Sequence, residues 1–133
     1  MENDPVAVEV TRHLRKGNGK IVWGVGHVSA SVLAVVIAEG ASLEEPGDNG
    51  CPVVVTVNCA GSEVPALERL RPHVHRHKPA VIVRIDRERL RRFGGYKPHD
   101  VYLIFSDLVY KRQRILQQDE SWSSQAFDIV FEH

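Results

Sequence analysis

The stretch KIVWGVGHVSASVLAVVIAE, residues 20–39, decides the fold. Ile21 to Val25 form an apolar run without polar alternation, which is typical of a strand buried on both faces. Gly24 and Gly26 predict a tight turn after that strand. Residues 28–38 are apolar on nearly every side, which predicts a buried helix. The stretch therefore predicts a strand–turn–helix unit at the centre of the domain.

Outward from this unit, helical and extended patterns continue to alternate. The segment 41–50 predicts an acidic loop, and 86–100 predicts either a short basic helix closed by Gly94-Gly95 or a long hairpin arm. Further strands are predicted at 53–57, 80–85 and 101–105, with an edge strand at 127–131, and helices at 5–16, from 62 to a stop or kink at Pro72, and after Ser106. Alternation of this kind predicts an α/β sandwich of about five mostly parallel strands with helices on both faces.

The 133 residues have the composition of one globular domain, with 43% hydrophobic and 26% charged residues. We interpret residues 1–133 as a single α/β domain, either a whole protein or one cut from a longer chain. No long apolar stretch is free of charge, so neither a membrane span nor a signal peptide is expected. Cys51 and Cys59 stand at opposite ends of a predicted strand, too far apart to bridge, which favours an intracellular location, cytoplasmic or nuclear.

Charge is segregated along the chain although the formal net charge is zero. Residues 69–114 carry 13 Lys or Arg against four acids, a balance of +9, so the remainder carries −9. This asymmetry predicts an anionic partner or a self-complementary contact between two copies.

The densest part of the basic segment lies at 84–97, where arginines surround two aromatic rings. Arginine binds phosphate and aromatic rings stack on unpaired bases. We therefore predict a non-catalytic binding module whose basic face engages an anionic partner, most plausibly RNA or DNA. In element order the chain is similar to the small chromatin and RNA-binding domains of the Alba type. The predicted contacts are Arg84, Arg87, Arg89, Arg91, Arg92, Phe93, Tyr96, Lys97, Lys111 and Arg112.

Three other interpretations stay open from the sequence. The charged segments could form a protein-interaction or dimerisation domain, with an acidic protein or a second copy as partner. The same arginines could be a solvated surface that pairs internally. An enzyme is the class with least support, because no nucleophile motif or acid–base pair is legible, and no cofactor or metal is predicted.

The turn after the first strand supplies a phosphate-binding alternative. Gly24, Gly26 and Ser29 stand between a strand and a helix, where backbone N–H groups face an anion. This turn resembles the phosphate loop of dinucleotide-binding and phosphosugar-isomerase domains, and Ser106 would supply a second hydroxyl. The pattern departs from the family at Ser29, which replaces the third glycine. It departs also at Asn58, which ends the second predicted strand where a ribose-binding acid is expected.

Two further groups have catalytic or metal-binding residue types. His73, His75 and His77 could form a metal cluster if extended but diverge on a helix. Cys59, His27 and Asp107 could share one edge of a parallel sheet, as a nucleophile with a base would.

Overall fold

The computed structural model describes residues 4–17, 19–47, 50–117 and 126–133. These residues form five helices and six strands, and the strands form one sheet. The helices are α1 (Pro5–Lys16), α2 (Ala30–Ala38), α3 (Glu63–His77), α4 (Arg87–Gly94) and α5 (Pro98–Asp107). The strands are β1 (Ile21–Gly26), β2 (Ser42–Glu44), β3 (Val54–Asn58), β4 (Ala80–Asp86), β5 (Arg112–Gln117) and β6 (Ala126–Glu132).

The sheet has the order β2-β1-β3-β4-β6-β5. The first four strands are parallel, whereas β6 runs antiparallel to both β4 and β5. The predicted class, an α/β fold with a mostly parallel sheet, is confirmed. From β1 the chain passes through α2 to β2 on one side, while β3 lies on the other side. The order of the sheet therefore reverses between β1 and β3, the position where open α/β sheets bind ligands.

Each face of the sheet has its own apolar core. One core combines β-strand residues with those of α3, α4 and α5, and it centres on Trp23, Val83, Leu90, Phe105 and Phe131. The other lies under α1 and α2 and centres on Val10, Leu14, Val22, Val32 and Val54. Alternate residues of one strand serve opposite cores, as the pleat of a strand requires.

Two predicted elements have the wrong type. The fourth predicted strand, 101–105, is part of α5, which starts at Pro98 and buries Val101, Ile104 and Phe105 at helical spacing. Short apolar runs do not distinguish strand from helix, and here the helical spacing of the buried residues decides. The helix predicted after Ser106 is instead a turn followed by β5, because Val109 adopts a positive φ of 61°.

Other boundaries also differ from the prediction. Residues 86–100 form α4 and the start of α5, so the hairpin-arm alternative is wrong. The predicted acidic loop 41–50 contains the short strand β2, while its Asp48 and Asn49 lie outside the described residues. The predicted edge strand 127–131 lies inside the sheet, between β4 and β5. Helix α3 continues through Pro72 to His77.

Helix α2 is less buried than its composition predicts. Val32 and Val36 are buried against the sheet, but Leu33 and Ile37 are 43% and 68% exposed. Only one side of α2 packs against the sheet. The apolar residues on its other side are therefore exposed, although the sequence predicts a helix buried all round. No helix in the described part of the chain is long and apolar enough to cross a bilayer.

Candidate functional site

An open cleft of about 700 Å³ lies at the carboxyl ends of β1, β3 and β4. The N-terminal ends of α1, α2, α3 and α4 contribute residues to its wall, and the floor is the sheet face that also carries α1 and α2. The cleft coincides with the reversal in strand order between β1 and β3. Both the topology and the concave shape make it the candidate ligand site.

The floor carries three polar side chains on three adjacent strands. Arg84 of β4 lies opposite Asp128 of β6, and its Nη1 donates to Asp128 Oδ2 at 2.9 Å. Thr56 of β3 lies opposite Ile82, two residues before Arg84 on the same face. Burial raises the pKa of Asp128, the charge and hydrogen bond of Arg84 offset only part of that rise, and the charge of Asp4 adds to it.

The roof is formed where the helices α1 and α2 begin. Asp4 Oδ1 accepts the backbone N–H of Val6 at 2.9 Å and thereby caps α1. Its Oδ2 accepts the hydroxyl of Ser29 at 3.1 Å, and Ser29 Oγ in turn accepts the backbone N–H of Val32. Ser29 therefore caps α2. A carboxylate of the chain itself faces the N-terminus of α2, where the phosphate interpretation requires a ligand.

The glycine turn brings the ends of β1 and β3 together. Gly26 has a φ of 81°, and a Cβ at this position would collide with the carbonyl oxygen of Asn58. The backbone N–H of His27 donates to that same oxygen at 2.9 Å. Glycine is required here because the chain turns in the left-handed region with no room for a side chain.

The turn after β3 is occupied by a side chain of α3. Buried Glu63 accepts the backbone N–H groups of Cys59 at 2.6 Å and of Gly61 at 3.0 Å. Burial, and then the charge of Glu63, raise the pKa of Cys59. A thiol with a raised pKa stays protonated at neutral pH and is a poor nucleophile.

Ser106 of the phosphate-binding alternative and Asp107 of the predicted nucleophile set lie elsewhere. Ser106 and Asp107 end α5, and the chain then enters β5 at Arg112, which pairs with Glu132 at the amino end of the parallel strands. Asp107 contacts Arg71 at 3.5 Å. The structure therefore separates Ser106 from the glycine turn, and Asp107 from His27 and Cys59, across the length of the sheet.

The charge of the cleft is negative rather than positive. Its walls and floor hold four carboxylates against two guanidiniums, namely Asp4, Glu63, Asp86 and Asp128 with Arg84 and Arg89. This excess disfavours a phosphate-rich ligand and favours a neutral or cationic one.

The predicted basic residues of α4 are paired within the chain. Arg91 and Arg92 both contact Glu88, at 2.6 and 2.9 Å. Arg89 lies 3.6 Å from Asp86, and Arg87 lies over the ring of Phe127 at 5.8 Å. The aromatic rings of Phe93 and Tyr96 stack on each other with centroids 6.5 Å apart.

The remaining predicted contacts do not join these residues in one face. Lys97 stands at the N-cap position of α5, beyond α4, where its backbone N–H donates to Asp100 Oδ2 at 2.8 Å. Lys111 and Arg112 lie at the start of β5, at the amino end of the parallel strands, whereas α4 begins at their carboxyl end. Antiparallel pairing through β6 causes this separation, which the linear charge pattern does not reveal.

The histidine-rich end of α3 is structural. His73 and His77 contact the buried ring of Trp23 edge-on, with centroids 5.6 and 6.0 Å away, while His75 is exposed. A different set of metal-ligand types does converge, because ligand atoms of Glu9, His13 and Glu132 lie within 4.8 Å of one another. Glu9 and His13 lie one helical turn apart, and this spacing is the signal in the sequence that could have indicated the cluster.

In this second cluster, arginine side chains contact the carboxylate of Glu9. Glu9 Oε2 lies 2.6 Å from Arg12 Nη2, 2.8 Å from Arg114 Nη2 and 2.9 Å from His13 Nε2. Burial alone would raise the pKa of Glu9, but the hydrogen bonds and charges of Arg12 and Arg114 lower it to about 2. Burial and the charge of Arg12 lower the pKa of His13. The cluster therefore ties α1 to β5 and β6, and its guanidiniums stand where a metal ion would need space.

An acidic residue that the sequence interpretation missed ends β2. Glu44 lies beside β1, with Trp23 as its partner in the parallel register, about 20 residues after Gly24. Its carboxylate accepts the hydroxyl of Ser42 at 2.8 Å. Dinucleotide-binding folds place their ribose-binding acid at the end of this neighbouring strand. The sequence predicts a loop at 41–50, so it places the expected acid at Asn58, the end of the second predicted strand, rather than at Glu44.

Comparison with solved structures finds methyltransferases. The chain is similar to a precorrin-6y C5,15-methyltransferase from Geobacter metallireducens GS-15, with a TM-score of 0.57 and 14% identity over 98% of this chain and 89% of that chain. It is also similar to the O-methyltransferase TomG from Streptomyces achromogenes, with a TM-score of 0.53 and 9% identity over 99% and 81%. At these identities the likeness shows the fold. No protein-family model and no curated protein matches the sequence.

These similarities correct the functional prediction. The interpretation as a non-catalytic binding module, with nucleic-acid binding as its main activity, is wrong because the folds that match over nearly the whole chain are those of enzymes. The internal pairing of the arginines and the negative cleft give the physical reason. The partners expected from the charge pattern, RNA or DNA, an acidic protein surface or a second copy, stay predictions.

Proposed function

We propose that the chain binds S-adenosylmethionine in the cleft and transfers its methyl group to a small acceptor. One observation carries the proposal: the glycine turn after β1 lies where the strand order reverses, and the acid Glu44 ends β2, the strand on the other side of β1. The two similar structures support it, since both are methyltransferases and that of TomG is a complex with SAM.

Residues at this edge of the sheet and around the cleft suit this donor. Glu44 is exposed at the end of β2 and could accept hydrogen bonds from ribose hydroxyls. Gly26 lets the chain turn at the end of β1, and a nucleoside could lie beside this turn. The bound donor would supply an electrophilic methyl group on a sulfonium cation. The excess of carboxylates around the cleft would attract that cation and exclude phosphate-rich competitors.

Calorimetric titration of the purified protein with S-adenosylmethionine and S-adenosylhomocysteine tests the proposal. Both should bind, because they share the adenosine that the turn and Glu44 would recognise. Glu44→Gln should weaken binding of both about tenfold or more, since a charged acceptor of hydrogen bonds is lost.

Glu68→Gln is the matched control. Glu68 is an exposed acid on α3 that contacts Arg71, so its substitution removes the same charge and should leave both affinities unchanged. Failure of both compounds to bind wild-type protein at about 1 mM, a concentration that detects even weak complexes, would overturn the proposal.

A further inference from the structure

The hydroxyl of Thr56 is the unusual group on the cleft floor. Thr56 is 7% exposed, and its Oγ1 has no hydrogen-bond partner among the described residues. Buried hydroxyls in folded proteins are nearly always paired, because an unpaired one loses its hydrogen bonds to water without replacement. Thr56 lines the cleft, so its unpaired and buried hydroxyl belongs to the floor of the space that a ligand would occupy.

The neighbouring ion pair is also left incomplete. Asp128 is 7% exposed, and the hydrogen bond from Arg84 goes to one of its two carboxylate oxygens. A buried carboxylate can accept several hydrogen bonds, and burial raises the pKa of this one. Asp4, across the cleft, adds a second negative charge to its surroundings.

We propose that Thr56, Arg84 and Asp128 form a subsite that binds a hydroxyl or amino group of a small uncharged or cationic molecule. Asp128 accepts a hydrogen bond from that group, and Thr56 supplies a second polar contact. Arg84 holds the Asp128 carboxylate in place. An anion is excluded because it would face Asp4 and Asp128. The proposal rests on the proposed function in one respect: it makes this group the part of the methyl acceptor that is held in the cleft.

Removal of the hydroxyl tests whether Thr56 serves the fold or a ligand. Thr56→Val keeps the shape of the side chain and replaces an unpaired polar atom with a methyl group. If the hydroxyl serves a ligand, the midpoint of thermal unfolding should stay unchanged or rise by a few degrees. Ser29→Ala removes a hydroxyl that has two partners and caps α2, so its midpoint should fall. A fall in Thr56→Val as large as that in Ser29→Ala would overturn the proposal.

Titration with small molecules tests the chemistry of the subsite directly. The methyl resonance of Thr56 would be followed by NMR while ethanolamine, 1,2-ethanediol or inorganic phosphate is added. Ethanolamine or ethanediol should shift the resonance saturably, with a dissociation constant in the millimolar range expected of so small a ligand, and phosphate should not. A saturable shift with ethanolamine alone would identify the amine as the recognised group, and one with ethanediol the hydroxyl.

Asp128→Asn completes the test. It should weaken the shift by ethanolamine about tenfold or more, because the carboxylate is the proposed acceptor. No saturable shift by either compound, or saturation by phosphate, would refute the subsite. Neither measurement contains S-adenosylmethionine, so failure here leaves the proposed donor site intact, and failure of the donor to bind leaves this result interpretable.

Discussion

Two acids of strand β6, Asp128 and Glu132, lie on the same face of the sheet. They belong to two polar clusters that differ in how fully their groups are hydrogen-bonded. At the Glu132 end, Glu9 takes contacts from two arginines and a histidine. At the Asp128 end, the carboxylate has Arg84, and the nearby Thr56 hydroxyl has no partner among the described residues. Both clusters mix acids and bases in largely buried surroundings, so composition does not distinguish them.

The difference lies in whether every polar group is satisfied. Glu9 and its partners complete one another, and such a network fixes helices and strands in place. The cleft floor keeps unused hydrogen-bonding capacity beside the space that a small molecule would occupy. Unused capacity of this kind costs stability, so its place on the floor of a cleft calls for an explanation, and ligand binding supplies one. We therefore assign the Glu9 cluster to the fold and the Asp128 cluster to function.

The largest effect is expected from Glu9→Gln. This variant keeps the shape of the side chain but leaves Arg12, His13 and Arg114 without their anion. The free energy of unfolding at pH 7 should fall by about 2 to 4 kcal/mol, as when one member of a buried ion pair is removed. Chemical denaturation measures it, and a loss below about 0.5 kcal/mol would show that the cluster does not hold α1 to the sheet.

The pH dependence of stability should report the same group. Glu9 has a pKa of about 2 in the fold and 4.5 as the ordinary value, so the unfolded chain takes up the proton first on acidification. Its stabilisation is complete above pH 4.5 and is lost as the pH falls towards 2. The difference in unfolding free energy between wild type and Glu9→Gln should therefore close across this window. A difference that stays constant from pH 5 to 2.5 would contradict the assignment.

A smaller effect, and one of opposite tendency, is expected from Asp128→Asn. Because burial raises the pKa of Asp128, the charged form costs the fold stability at neutral pH. Arg84 is 41% exposed and can turn to solvent when the charge is removed. The free energy of unfolding should stay within about 1 kcal/mol of wild type or rise. A loss as large as that of Glu9→Gln would make the two clusters alike.

The smallest effect is expected from Glu88→Gln, which separates partner number from burial. Glu88 contacts two arginines, as Glu9 does, but it lies on the exposed surface of α4. Solvent screens such pairs, so the denaturation midpoint should not change measurably. A clear fall would show that partner number alone sets the strength of these clusters.

Local patterns allowed much of the fold to be predicted. The buried strands β1, β3 and β4 follow from short apolar runs. The need for glycine at position 26 also follows from a strand that turns at once into a helix. These features depend on residues that are neighbours along the chain, and they are present in the structure. The candidate functional site could not be predicted from such local patterns.

The sequence by itself determined the alternation of strands and helices, the glycine turn and the end of the sheet on which it lies. Only the tertiary structure decided that the basic segment divides between two ends of the sheet, that Glu44 ends a strand beside β1, and that Arg84 meets Asp128. The physical reason is the range of the interactions. Periodicity and capping act within one or two turns, whereas the partners of a site are set by strand order and register between residues far apart in the chain.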